Sequence, residues 1–280
     1  MKDRLDRVVR LWIDLFAEHA ILDHASAIAF QVLKALIPLT LLGLGLLGAL
    51  GQERVWNRTL GPGIKNHVQP ATFHAIDAAV QKIFTTEPTG LIVFASVLAT
   101  WYISGSVRAV MTGINQIYET DETRSWRVRH AISLALAMAI AVCVIGSVMV
   151  VTAGAQLADR GALEVVVGIG RWLVAVGALG LAVALLVRWA PAERRSKRWA
   201  SAGSALVIAA WIVASLLFKL FVSDVANFKT ATGSLTVFLV LISYVYTSSI
   251  IFLVGVQLDE LLRQDATRGE RGVLELLFSR

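Results

Sequence analysis

The chain has 280 residues, 56% of them hydrophobic and 16% charged, with a mean hydropathy of +0.68 and a formal net charge of +6. Soluble domains carry about 25% charged residues, so this composition excludes a globule covered by water and points to a membrane protein. The one cysteine, Cys143, lies in an apolar run and leaves no intramolecular disulfide framework.

Residues 1–22 mix acidic and basic side chains with apolar ones. The continuous apolar core and small-residue cleavage site of a signal peptide are missing. Leu5, Val8, Val9, Trp12, Leu15 and Phe16 share one face, as in an amphipathic helix lying on the membrane surface or in an ordinary solvated or protein-packed helix. A bilayer core of about 30 Å needs roughly 20 apolar residues in a helix. The segments 26–50, 91–114, 131–156, 165–188, 200–221 and 235–258 all qualify. They are continuous rather than alternating, which excludes a β-barrel. The reading is an all-α, polytopic membrane protein with six transmembrane helices in a single membrane domain, 1–280.

Residues 51–90, between the first two spans, form an external loop. Its turn-rich "GPGIKNHVQP" leads into "ATFHAIDAAVQKIF", where Phe73, Ile76, Val80 and Phe84 recur at helical spacing. A short helix over the mouth of the bundle is expected there, with Asp77 placed to pair with His74. No Cys, Asp or Glu set accompanies His67 and His74 at metal-ligand spacing, so no metal is expected. Residues 259–280 are read as a cytoplasmic tail.

Lys and Arg in the connections set the direction. The N-terminal segment carries four, 115–130 three, 188–199 five and the tail four, against six on the opposite side. Both termini are therefore expected in the cytoplasm. Trp56 and Trp172 then fall at outer ends, and Trp126, Trp189 and Trp199 near inner ends, where indole rings favour the headgroup layer. The basic surplus follows from topology and anionic inner-leaflet lipid, and no nucleic-acid partner is expected.

The polar residues inside the spans form a pattern. Gln31, Lys34 and Pro38 share one side of span one with His24. Ser104, Arg108 and Asn115 belong to a polar stripe on span two, and span six adds Tyr246 and Gln257. With the N-terminus inside, Lys34 lies roughly 10 Å into the core, and Arg108 arrives at similar depth from the other direction. No Asp or Glu is deep enough to pair with either. Pro38 is expected to kink span one and free the carbonyl of Lys34. One reading is helix packing through small polar residues, with both cations reaching for the headgroups. The other is a polar cavity between spans one, two and six, open to the cytoplasm, in which Lys34 and Arg108 attract an anion. Tyr246 and Ser248 are expected to face protein, on a last helix bracketed by Gly233 and Gly255.

Three stretches carry a resemblance. "DHASAIAFQVLKALIP" (23–38), through Ala29, Phe30, Leu33, Leu36 and Pro38, resembles the first span of the YihY/BrkB inner-membrane proteins, formerly labelled ribonuclease BN. "GSLTVFLVLISYVYTSSIIFLVGVQLDE" (233–260) is similar to that family's last helix at Gly233, Tyr246, Ser248, Gly255 and Leu258. "TWYISGSVRAVMTGINQIYETDETRSWRVR" (100–129) matches at Ser104, Asn115, Ile117 and Tyr118. The chain departs at Gln31, Lys34, Gln257 and Asp259, where the family usually has an aromatic, an aliphatic, Glu and Asn. The resemblance implies a multi-pass protein of the bacterial inner (plasma) membrane with six spans and both ends inside. It supplies no settled activity.

The function expected is transport or handling of an anionic or amphipathic solute, with lipid as one such solute. The alternative is a non-transporting scaffold that recruits envelope or cytoplasmic partners through 188–199 and 259–280. An enzyme is not expected, since the spans offer no carboxylate cluster for a two-metal nuclease; no cofactor or catalytic residue is assigned. The partners expected are membrane lipids and a small anionic or amphipathic substrate, with a homo-oligomer left open.

Overall fold

The computed structural model describes residues 10, 12–65, 68–85, 88–156, 162–193, 200–221 and 233–268. Helix α1 spans Ile21–Ala49, α2 Pro70–Thr85, α3 Pro88–Ile117, α4 Trp126–Gln156, α5 Ala162–Trp189, α6 Ala200–Leu220 and α7 Gly233–Arg268. All but α2 are long and apolar enough to cross a membrane. No strand occurs among the described residues. The protein is an all-α, multi-pass membrane protein with six candidate spans.

Local chemistry sets several of these boundaries. Pro70 and Pro88 open α2 and α3, the position where a missing N–H costs nothing and φ is already helical. Ala20 precedes α1 in the left-handed conformation, φ 45°, and Glu119 follows α3 at φ 49°. Neither is glycine, so both turns are held by their surroundings. Residues 12–18 are helical ahead of the Ala20 break. Trp12 meets Phe16 edge-on at 6.2 Å, and Phe16 packs on the core while Ile13 stays exposed. Leu5, Val8 and Val9 of the predicted amphipathic face lie outside the described residues.

The first and last helices extend beyond their apolar runs. The first helix starts at Ile21 rather than near 26, and the last runs to Arg268 rather than ending at 258. Gly255 therefore lies inside α7. The first turns of the expected tail continue the helix because Asp259 and Glu260 find partners within the protein. Helix α1 also runs through Pro38 without interruption.

Helices α1 and α3 are antiparallel and closely packed. Gly45 meets Ile92, Gly105 meets Gln31 and Gly113 meets His24. Ala25, Ala35, Ala95 and Ala99 are fully or almost fully buried, the small-residue contact that lets helices approach in lipid. The other spans form a ring with them: α4 packs on α3 and α5, α6 on α5 and α7, and α7 on α1. One end of this ring, the terminal face, carries the start of α1 and the end of α7. The other, the far face, carries α2. Burial is uneven between them. Helices α1 and α3 have buried residues along their length, from Ile21 to Gly45 and from Ala95 to Ile117. Among the residues of α4 and α5 whose burial is described, those buried are Ser133, Leu136 and Ala137, then Ala182, Val183 and Val187, all in the halves nearest the terminal face. Toward the far face Val142, Leu173, Leu217 and Leu239 are exposed.

Helix α2 lies at the far face, with its Phe84 against Gly48 of α1. Its pairing differs from the expectation. Asp77 accepts a hydrogen bond from Trp56 Nε1 at 2.7 Å, not from His74, which stacks edge-on against Phe73. Trp56 is buried and not a headgroup anchor. A buried indole N–H needs a partner, and Asp77 supplies it. Trp126 and Trp189 are exposed at helix ends and Trp172 is exposed ten residues into α5, whereas Trp199 and His67 lie outside the described residues.

Candidate functional site

Lys34 sits near the middle of α1, roughly 20 Å from either end at 1.5 Å per residue. The helix begins at Ile21, before the apolar run, so these distances are measured from the helix ends. Its ammonium lies 4.7 Å from the centre of the Phe30 ring and 5.7 Å from that of Tyr102 on α3. Arg108 reaches one turn back along α3, as helical side chains do. Its Nη1 donates to Ser104 Oγ at 2.6 Å and to Ser133 Oγ of α4 at 3.4 Å. The two hydroxyls are 2.9 Å apart. Ser104 too is roughly 20 Å from either end of its helix. A β-carbon at Gly105 would stand 3.1 Å from Gln31 Oε1 and 3.7 Å from Arg108 Nη2, so Gln31 and Arg108 converge on that glycine. Pro38 is buried one turn further along α1.

Among the described residues neither Lys34 nor Arg108 is in an ion pair. A cation at the centre of a span costs about 2.5–3.5 kcal/mol on insertion scales. A hydrogen bond to a charged group contributes about 1.5–3 kcal/mol, and a cation–π contact about 0.5–2 kcal/mol. The serines and rings therefore offset much of the cost of burying these groups. They leave the charge itself uncompensated.

The remaining predicted residues stand elsewhere. Tyr246 is half-buried against the core, on the protein side as expected. Leu253, further along α7, is fully buried as well. Gln257 and Asn115 both belong to the terminal face, where polar side chains bind one another. Gln257 Oε1 is 2.7 Å from His19 Nδ1, and that oxygen only accepts, so Nδ1 carries the proton. The other ring nitrogen is buried without a hydrogen bond, 3.8 Å from Glu119. Asn115 donates to Glu122 at 3.1 Å and accepts from the backbone of Ala192 at 2.9 Å. Arg124 grips Glu122 at 2.7 and 2.9 Å and donates to the carbonyl of Ala190 at 2.9 Å. Arg124 thereby holds the Glu122 carboxyl below the ordinary glutamate range, with Arg129 adding to the effect. Arg129 also donates to Thr112 at 2.7 Å.

A last polar pair ties α6 to α7. Asp259 accepts from the backbone N–H of Gly203 at 2.7 Å, in the first turn of α6, where such donors lack helical partners. Its second oxygen is buried without a hydrogen bond, and Arg263 holds the neighbouring Glu260 in an ion pair. The polar residues of the terminal face thus tie helices together. Sequence reasoning missed Ser133 and His19. A lone serine among alanines was the only signal for the first, and a histidine beside a helix break the only one for the second. Among the described residues no three His, Cys, Asp or Glu side chains gather as a metal site requires.

Comparison with known proteins places the chain. The Bacillus subtilis (strain 168) ribonuclease-like protein YfkH is 23% identical over 209 residues, covering 72% of this chain and 76% of that protein. No solved structure is significantly similar. The family described as Virulence factor BrkB matches residues 13–274, all six candidate spans included, and the chain belongs to that family.

Proposed function

We propose that the protein handles or transports an anionic or amphipathic solute across the bacterial inner membrane, with both termini in the cytoplasm, and performs no chemistry on it. The observation that carries this reading is the pair of mid-helix cations, Lys34 and Arg108, set beside Gln31 and Ser104 with no carboxylate in contact among the described residues. The cavity expected between spans one, two and six would use these residues with Pro38 and Tyr246, and Arg108, which turns toward Ser133 of span three, would stand at its side opening. Asn115 and Gln257 would close its terminal face. The relative's ribonuclease-like name supplies no role for the mid-helix cations, and a nuclease would need a metal-binding carboxylate set that the described residues do not assemble.

The test is reconstitution into proteoliposomes with an anionic and a cationic fluorescent amphiphile of matched size. The anionic probe is expected to cross faster than in protein-free vesicles, and Arg108→Leu to slow it about tenfold, equivalent to about 1.4 kcal/mol. Equal crossing of both probes, unchanged by Arg108→Leu, overturns the reading. Crossing of neither favours the scaffold.

A further inference from the structure

We infer that the side of the bundle between α1 and α4 is a lateral binding site for the phosphate headgroup of an anionic membrane lipid. This rests on the anionic-solute reading and names the substrate class and its route of entry. Helix α3 packs on both α1 and α4, while α1 and α4 do not form a packed pair. The exposed edge of α3 is therefore the floor of a crevice with those helices as walls. Arg108 lies on that floor, bonded to Ser133 of one wall, and Lys34 projects from the other.

The rim is apolar and open. Phe30 is 62% exposed, Trp101 63% and Leu134 42%, so these cations meet lipid from the side without crossing the terminal-face network. A shallow groove of about 320 Å³ between Val97, Trp101 and Leu134 continues along α3 and α4 toward the far face. The Arg108 guanidinium lies 6.0 Å from the Trp101 ring. In hydrocarbon an uncompensated cation gains little from its surroundings and most from an anion brought to it. Guanidinium forks match phosphate oxygens in geometry as well as charge. A headgroup on Arg108 and Lys34 with an acyl chain along the groove satisfies the charge and the apolar surface together. A free phosphate satisfies only the first.

The experiment uses the full chain in detergent, with lipid retention read by native mass spectrometry. Phosphatidylglycerol and phosphatidic acid are expected to be retained over phosphatidylcholine. Arg108→Leu or Lys34→Leu should reduce that preference about tenfold. Arg54→Leu, which removes an exposed cation at the far face, should not. A photo-crosslinker at Leu134 should capture phosphatidylglycerol over phosphatidylcholine more than one at Leu216, and lose that enrichment with Arg108→Leu. This second measurement stands on Lys34→Leu if Arg108→Leu does not fold. Equal lipid retention in all variants, or equal enrichment at Leu134 and Leu216, overturns the lipid site. Full displacement of the lipid by excess inorganic phosphate also overturns it in favour of a free anion. In each of these outcomes the proteoliposome assay still decides the anionic-solute reading separately.

Discussion

Arg108 and Glu122 are charged residues in opposite situations. Among the described residues Arg108 has two hydroxyls and no counter-charge, whereas Glu122 is surrounded by Arg124, Arg129 and Asn115. The second arrangement has a pH consequence with a definite sign. A carboxyl held below its ordinary value contributes stability that is complete above the unfolded-state glutamate pKa. That stability is lost as pH falls through the lower folded value. The protection of amides in residues 118–125, taken relative to the intrinsic exchange rate at each pH, is therefore expected to stay high at neutral pH and to fall on acidification below the usual glutamate range. Glu122→Gln should exchange quickly already at neutral pH and lose most of that acid dependence. An unchanged profile in the variant would show that Glu122 does not hold the loop.

Where α6 crosses α7, the spacing of two backbones depends on glycine. A β-carbon at Gly203 would collide with the Gly255 carbonyl and the Asp259 carboxyl, and one at Gly255 with Val207 and the Gly203 carbonyl. Gly203→Ala and Gly255→Ala are each expected to destabilise by about 1–3 kcal/mol, read as a lower melting temperature in detergent. Gly43→Ala meets nothing within 4 Å and should be neutral or stabilising by up to about 1 kcal/mol, since alanine favours the helix. Equal melting temperatures for the three variants would contradict the close crossing. The short helix at 12–18 is attached differently, through His19 on Gln257. Gln257→Leu strands a buried ring N–H, costing about 1–3 kcal/mol. A cysteine at Phe16 should then become more reactive toward a water-soluble maleimide.

On the scale of the bundle, α1 and α3 form a continuously packed pair, and among the described residues α4, α5 and α7 are buried mainly near the terminal face. The polar ties at that face hold it closed: His19 to Gln257, Asn115 to Ala192, and Asp259 to Gly203. Small-residue packing supplies most cohesion in lipid, with interhelical hydrogen bonds worth a fraction of a kcal/mol to about 1.7 kcal/mol each. Splaying of α4 to α7 is therefore expected from the far face first. Hydrogen exchange in a nanodisc should show protection falling along α4 from Ser133 toward Val148. Reporter fusions after residues 50, 120, 160, 194, 228 and 280 should read out, in, out, in, out, in. Two adjacent inversions would reject the orientation on which the inner-membrane reading depends.

The linear chain carries enough information for the six spans, because each apolar run is longer than a membrane core requires and stands clear of polar connections. The short helix over the far face was legible from Phe73, Ile76, Val80 and Phe84, whose spacing is itself helical. Lys34 and Arg108 were legible as unpaired cations, since no acid lies at their level in any span. Helix ends were less so: hydropathy drops at Asp259, but the helix continues because its carboxyl meets a free N–H of α6. Partners separated by many residues were not legible at all. Ser133 beneath Arg108, Gln257 beside His19 and Trp56 on Asp77 depend on which helix faces lie together. In lipid, where apolar surface does not choose between neighbouring helices, only the close fit of small residues in the tertiary structure decides that.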